Sequence, residues 1–255
     1  MAYDISSITS GVVDRPPRIV LHGVEKVGKS TFACDFPNAI VLPIKGEEGI
    51  DALDVASFPV INDYASTIEA LNTLVTGEHD FKTVVIDSIS ALETLVWAYT
   101  CQQNGWDDIE KAGYGKGYIS AQIHWQSFLS WCDALRDRGM TVILIGHVAV
   151  RTFNDPILEP YDVYELDMNK RAAGLIKKWA DCILFANRKI LITQKDVGMN
   201  QKKAIATGGD KPMLYTQKRA AHSGGGRGIY GRLTYEMPLK YESFADAVSA
   251  LKGDK

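Results

Sequence analysis

This sequence lacks paired cysteines, long apolar runs and linker composition, and each absence excludes something. Its four cysteines, Cys34, Cys101, Cys132 and Cys182, stand apart with no paired spacing. That argues against a disulfide framework or a zinc site and for reduced, buried thiols in a cytoplasmic protein. No apolar run approaches the ~18 residues of a membrane span. The opening "MAYDISSITSGVVDRPP" has no charged-then-apolar signal pattern, so no membrane partner is expected. No Pro- or Ser-rich linker and no repeat divides the 255 residues. One domain over 17–250 is therefore expected, behind an N-terminal arm of residues 1–16.

Net charge is only -3, but it is unevenly spread. Residues 1–149 hold 10 Lys+Arg against 19 Asp+Glu, a net of -9. Residues 150–232 hold 15 against 8, a net of +7. A basic second half points to an anionic partner, though scattered solvated lysines would give the same count.

Short apolar runs alternate with helical patterns. Strands are expected at "RIVLHG" (18–23), "AIVLPI" (39–44), "KTVVIDS" (82–88), "TVILIGH" (141–147) and "DCILFANR" (181–188). Helical spacing covers 29–36, 65–75, 89–103, 118–139 and 173–180. Continuous apolar strands between helices indicate an α/β fold, a mainly parallel sheet covered on both faces. Later segments, "KILITQK", "KAIATG" and "PMLYTQKR", read as hairpin strands that add an antiparallel C-terminal edge.

What is present is a phosphate-binding pattern. "HGVEKVGKS" places Gly23 and Gly28 before Lys29 and Ser30, the spacing G-x-x-x-x-G-K-[ST], between an expected strand and an expected helix. The glycines let the loop amides of Gly23, Val24, Glu25, Lys26, Val27, Gly28, Lys29, Ser30 and Thr31 turn toward an anion. Lys29 offers a point charge to the outer phosphates and Ser30 a hydroxyl to Mg²⁺. The cofactors expected are ATP and Mg²⁺. The apolar run in "TVVIDS" delivers Asp87 to the carboxyl edge of the sheet as a second metal ligand, a place that also suits a helix cap. Glu47 and Glu48 in "IKGEEGID" are candidates to activate water, or a solvated turn. His147, ending "TVILIGH", is a candidate to touch the γ-phosphate or that water, or a histidine satisfied by backbone.

These segments carry a resemblance. "VVIDSISAL" (84–92), "EEGID" (47–51), "ILIGH" (143–147), "AGLIKKWADCILFANR" (173–188) and "YTQKRAA" (215–221) are similar, in that order, to RecA-type recombinases. From about 17 to 245 the chain resembles more closely the phage-encoded RecA-like nucleotide-binding proteins found with single-strand annealing genes. The resemblance implies a RecA-like P-loop fold, with the "TVILIGH" strand between the P-loop and Asp87 strands. It implies Glu47 rather than Glu48 as the water-activating acid, and His147 where RecA has a glutamine sensor. It implies ATP hydrolysis coupled to single-stranded DNA, in the host cytoplasm. It also implies self-association into a ring or filament, and a phage single-strand-binding protein as a further partner.

Two loops would then face DNA. One is 107–117, with Lys111, Tyr114 and Lys116; the other is 151–171, with Arg151, Phe153, Lys170 and Arg171. Lys218, Arg219 and Arg227 in "QKRAAHSGGGRG" are candidates to reach a neighbour's γ-phosphate, as an arginine finger does. The five tryptophans read as core or interface anchors. Two other readings stand beside this one. A nucleotide-switched adaptor or loader would have no DNA binding of its own, and a small-molecule kinase would need an acceptor site and lid not evident in the sequence.

Overall fold

The computed structural model describes residues 13–47, 49–196 and 202–253, together with Asp4, Ser6, Ile8, Ser10 and Gly11. Glu48 lies outside the described residues.

The apolar runs form the strands β1 (Arg18–Gly23), β2 (Ala39–Pro43), β4 (Thr83–Asp87) and β5 (Thr141–Gly146), buried almost throughout. With β3 (Ala56–Ser57), β8 (Cys182–Asp196), β9 (Lys202–Tyr215) and β11 (Glu236–Pro238) they build the main sheet. Its order is β11-β9-β8-β1-β5-β4-β2-β3, and β10 (Gly225–Gly226) also pairs with β8. The pairings from β8 through β3 are parallel; β9, β10 and β11 pair antiparallel. β5 therefore separates β1 from β4, as the resemblance implied.

Successive strand residues point to opposite faces, so one sheet needs two cores. Val20, Leu42, Val84, Ile86, Val142 and Leu144 face one cluster. It is covered by α2 (Tyr64–Thr76), α3 (Ile89–Asn104), α4 (Lys116–Asp137) and α5 (Lys170–Trp179). Ile19, Leu21, Val41, Val85, Ile143 and Ile145 face the other, under α1 (Lys29–Cys34) and α6 (Tyr241–Gly253). Side chains cap three helices: Asp63 accepts from Ser66 N (2.8 Å), Ser88 from Ala91 N (3.2 Å) and Asn169 from Arg171 N (3.0 Å). At Gly117 a Cβ would stand 1.8 Å from the Ile109 carbonyl oxygen, so α4 starts against the preceding loop only with glycine there. Trp125 is fully buried, and Trp97, Trp131 and Trp179 pack against the same core.

Three expectations need correction. Residues 151–171 are not an open loop: β6 (Val148–Phe153) and β7 (Tyr161–Leu166) form an antiparallel hairpin, and Lys170 and Arg171 already belong to α5. The strand expected at 181–188 and "KILITQK" are one strand, β8, while "KAIATG" and "PMLY" merge into β9. β9 ends at Tyr215, so Lys218 and Arg219 lie beyond it, in a turn closed by hydrogen bonds between Arg219 and His222.

Candidate nucleotide site

Parallel strands end together, and that alignment assembles the site. Asp87 is in register with Ile145 and Pro43, and Gly146 with His22. The P-loop, the turn after β2, Asp87 and His147 thus share one sheet edge.

The P-loop is shaped by its glycines. A Cβ at Gly23 would stand 2.1 Å from the Ala186 carbonyl oxygen, and Gly28 has a left-handed φ of 104°. Buried Lys29 turns back on its own loop and donates to the carbonyls of Gly23 (3.0 Å) and Val24 (2.9 Å). Burial pulls its ammonium below the usual lysine range, against the attraction of Asp87, Glu47 and Glu25.

Ser30 Oγ donates to Asp87 Oδ2 at 2.6 Å. Burial pushes the Asp87 carboxyl up, and the nearby Glu47 charge adds to this, against the Ser30 bond and Lys29. The Asp87–Ser88 peptide is cis. Hydroxyl and carboxylate oxygens are the hard donors that suit Mg²⁺. Among the described residues no group of three or more His, Cys, Asp or Glu side chains is arranged to hold a metal. The pair fits a Mg²⁺ whose remaining ligands come from phosphate and water.

Glu47 follows β2 in a turn tied to Ile44 (3.1 Å), which in turn bonds the Asp87 carbonyl at 2.7 Å. Two groups fix its Oε1: Ser88 Oγ donates at 2.5 Å and His147 Nε2–H at 2.8 Å. Burial alone would raise the Glu47 carboxyl; the His147 and Ser88 bonds outweigh it and hold it below the usual range. Glu47, His147, Gly49 and the P-loop residues Glu25, Lys26, Gly28, Lys29, Ser30 and Thr31 line an open cleft of about 410 Å³. Gly23, Val24 and Val27 complete the loop without lining the cleft.

Three residues of this neighbourhood were not singled out from sequence: Ser88, Ser90 and Glu93. Ser90 Oγ accepts the His147 N–H at 3.0 Å, where the chain enters β6. Glu93, one turn further along α3, accepts the Asn169 N–H with both oxygens (3.0 and 2.9 Å), where the chain leaves β7. The Asp167 N–H bonds the His147 carbonyl at 3.0 Å and ties the two feet together. One helix start thus holds Glu47, His147 and both ends of the β6–β7 hairpin. Burial, aided by the nearby Asp167 charge and opposed by the Asn169 N–H and Arg151, raises the Glu93 carboxyl to about 7. The i, i+3 spacing of Ser90 and Glu93 was the signal available; their partners lie 57 and 76 residues away.

The basic candidates divide. Arg151 and Lys170 line one pocket with Glu93 and Trp97, and Arg151 reaches Asp167 at 3.6 Å. Arg171 is exposed beside them at the start of α5. Lys111 pairs with Asp107 on an exposed turn, Tyr114 is fully exposed at φ 49°, and Lys116 opens α4. Trp97 borders both neighbourhoods. Lys218 and Arg219 share the turn after β9, and the Arg219 guanidinium lies 4.1 Å over the Tyr235 ring. Arg227 is elsewhere. It bonds the Lys178 carbonyl and sits 3.6 Å from Asp181, which Arg18 and Arg136 also engage. That places Arg227 at the opposite sheet edge, near the start of β1 and β8, so the three candidates are not one cluster.

Buried His22 precedes Gly23; its Nε2 meets the Ser223 carbonyl at 3.2 Å, while Nδ1 has no hydrogen-bond partner among the described residues. Burial lowers it to about 3, so it is neutral at physiological pH.

Among curated proteins, none matches this chain. Among solved structures it is similar to the flagellar accessory protein FlaH from Methanocaldococcus jannaschii, at 11% identity and TM-score 0.37, over 79% of this chain and 85% of that one. It is also similar to the KaiC-like protein PH0186 from Pyrococcus horikoshii OT3, at 12% identity and TM-score 0.41, over 81% of each. Residues 15–228 match the sequence family described as AAA domain, and the chain belongs to that family of P-loop ATPases.

Proposed function

We propose that this ATPase is a single-stranded-DNA-dependent motor of phage recombination, acting by annealing or strand exchange. The observation that carries the reading is the joint anchoring of the β6–β7 hairpin and of His147 on the start of α3. A hairpin bearing Arg151 and Phe153 cannot shift at its feet without straining the group that holds Glu47.

The chemistry follows from the site. Lys29 leaves its loop carbonyls and donates to the outer phosphate oxygens. Ser30 and Asp87 would hold Mg²⁺, which neutralises charge on those oxygens when bound. Glu47 orients the attacking water and accepts its proton. His147 and Ser88 keep Glu47 ionised and fix the oxygen they share, leaving the second oxygen for water. Lys111, Tyr114, Lys116, Arg151, Lys170 and Arg171 contact DNA through phosphate neutralisation and base stacking. Lys218 or Arg219 completes a neighbouring subunit's site in a ring or filament, and Arg227 would do so only from the far edge. A phage single-strand-binding protein would be a further partner, in the host cytoplasm. No helix among the described residues is long and apolar enough to cross a membrane.

The second reading, an adaptor that switches with nucleotide and acts on another protein, is favoured by one feature: exposed Ile190, Leu191 and Ile192. DNA affinity separates the two. Binding of a labelled single strand should weaken steeply with salt and fall at least about tenfold in Arg151→Ala/Lys170→Ala. No binding at low salt would reject the DNA reading and leave the adaptor.

A further inference from the structure

Among the described residues, the outer part of β8 and β9 has no partner but itself. β1 pairs with Cys182–Ala186 and β11 with Met213–Tyr215, whereas from Ile190↔Gly208 to Asp196↔Lys202 the two strands pair, among the described residues, only with each other. A lone two-stranded ribbon is marginal in water. This one exposes three consecutive aliphatics: Ile190 (55%), Leu191 (60%) and Ile192 (71%). Strand alternation puts Ile190 and Ile192 on one face and Leu191 on the other, so both faces call for cover. The ribbon is rooted beside the P-loop, where Arg188 donates to the Lys26 and Gly209 carbonyls at 3.2 Å each.

Its charge says what could cover it. Residues 188–196 and 202–211 hold six Lys+Arg against two Asp+Glu. The stretch 51–81 holds six Asp+Glu and no Lys or Arg. That acidic stretch contains β3, the last strand at the other end of the sheet, and α2. There Phe58, Val60, Ala70, Asp63 and Glu69 line a shallow groove of about 360 Å³, and Val60 is half exposed. One chain thus carries a basic, apolar ribbon at one end of its sheet and an acidic, apolar groove at the other. They cannot meet within one molecule. Two different surfaces that fit each other make a head-to-tail contact, which closes into a ring or continues as a filament.

We infer that the β8–β9 ribbon of each copy docks in the acidic groove beside β3 of the next. This rests on the self-association in the proposed function and names its two surfaces. DNA suits the ribbon's lysines but leaves the three aliphatics uncovered.

The test uses the full chain with ATP, sized by sedimentation velocity. Ile190→Asp/Ile192→Asp disables the ribbon, and Val60→Lys/Glu69→Lys disables the groove. Circular dichroism melts check that both variants fold. We expect the wild type to assemble and each variant alone to sediment as a monomer. An equimolar mixture should give dimers and nothing larger, because it contains one working ribbon–groove pair. If the variants assemble like the wild type, or the mixture stays monomeric, the assignment of surfaces is overturned while self-association stands. A ribbon variant that assembles normally but loses single-stranded DNA would assign the ribbon to DNA and overturn the proposal. A wild type that stays monomeric at all concentrations removes the self-association reading and this proposal together.

Discussion

At the residue scale the site turns on one oxygen, Glu47 Oε1, held by Ser88 and His147. Their bonds stabilise the ionised carboxylate, which a general base requires. His147→Ala removes one of them, so Glu47 should protonate at higher pH. We expect the acid limb of the turnover profile to move upward and kcat to fall about 10- to 100-fold with KM little changed. An unmoved acid limb would show that His147 does not set the Glu47 carboxylate. Single Gln substitutions separate the two adjacent acids: Glu47→Gln should abolish turnover and Glu48→Gln should not, and the reverse result would transfer the role. Most of this site was legible. The P-loop and Asp87 announce themselves through spacing and through an apolar strand ending in a carboxylate. The Glu47–His147 bond was not legible, because the two residues meet only through the strand order β5-β4-β2.

At the scale of elements, α3 is the part that joins nucleotide site to hairpin. Its buried Glu93 has a carboxyl raised to about 7, chiefly by burial. A carboxyl raised on folding is favourable to the fold while neutral. Its contribution is therefore full below the unfolded value of about 4.5 and is lost as pH rises through about 7, up to about 3 kcal/mol. Urea melts of the wild type should show this decline, and Glu93→Gln should flatten it; an equal slope in both would assign the decline to other groups. Gly117→Ala tests a second junction. With a Cβ 1.8 Å from the Ile109 carbonyl, it should cost about 2–3 kcal/mol in the same melts, whereas a neutral result would mean that the loop shifts freely.

Sequence legibility was uneven at this scale. Continuous apolar runs gave the central strands because both faces of the sheet are covered. The β6–β7 hairpin went unread because polar residues interrupt "VAVRTF" and "YDVYEL" and "NDPILEP" separates them with two prolines. β8 was cut short because Asn187 and Arg188 interrupt its apolar run beside an irregularity in the ladder with β9. The position of Arg227 could not be read at all, since it depends on Gly225 and Gly226 pairing with the first residues of β8.

At the scale of the whole molecule, the uneven charge acquires a geometry. The acidic first half supplies the groove beside β3 and the acids of the nucleotide cleft; the basic second half supplies the hairpin, the start of α5 and the ribbon. The central claim is that DNA on the β6–β7 hairpin is felt at Glu47 through α3. Its most direct test is ATP turnover with and without single-stranded DNA across a salt series, with Lys29→Ala as the blank. We expect turnover above the blank, stimulation by DNA at low salt, and loss of that stimulation as salt rises while basal turnover persists. Turnover that exceeds the blank yet ignores DNA at every salt concentration would contradict the coupling and leave only the ATPase.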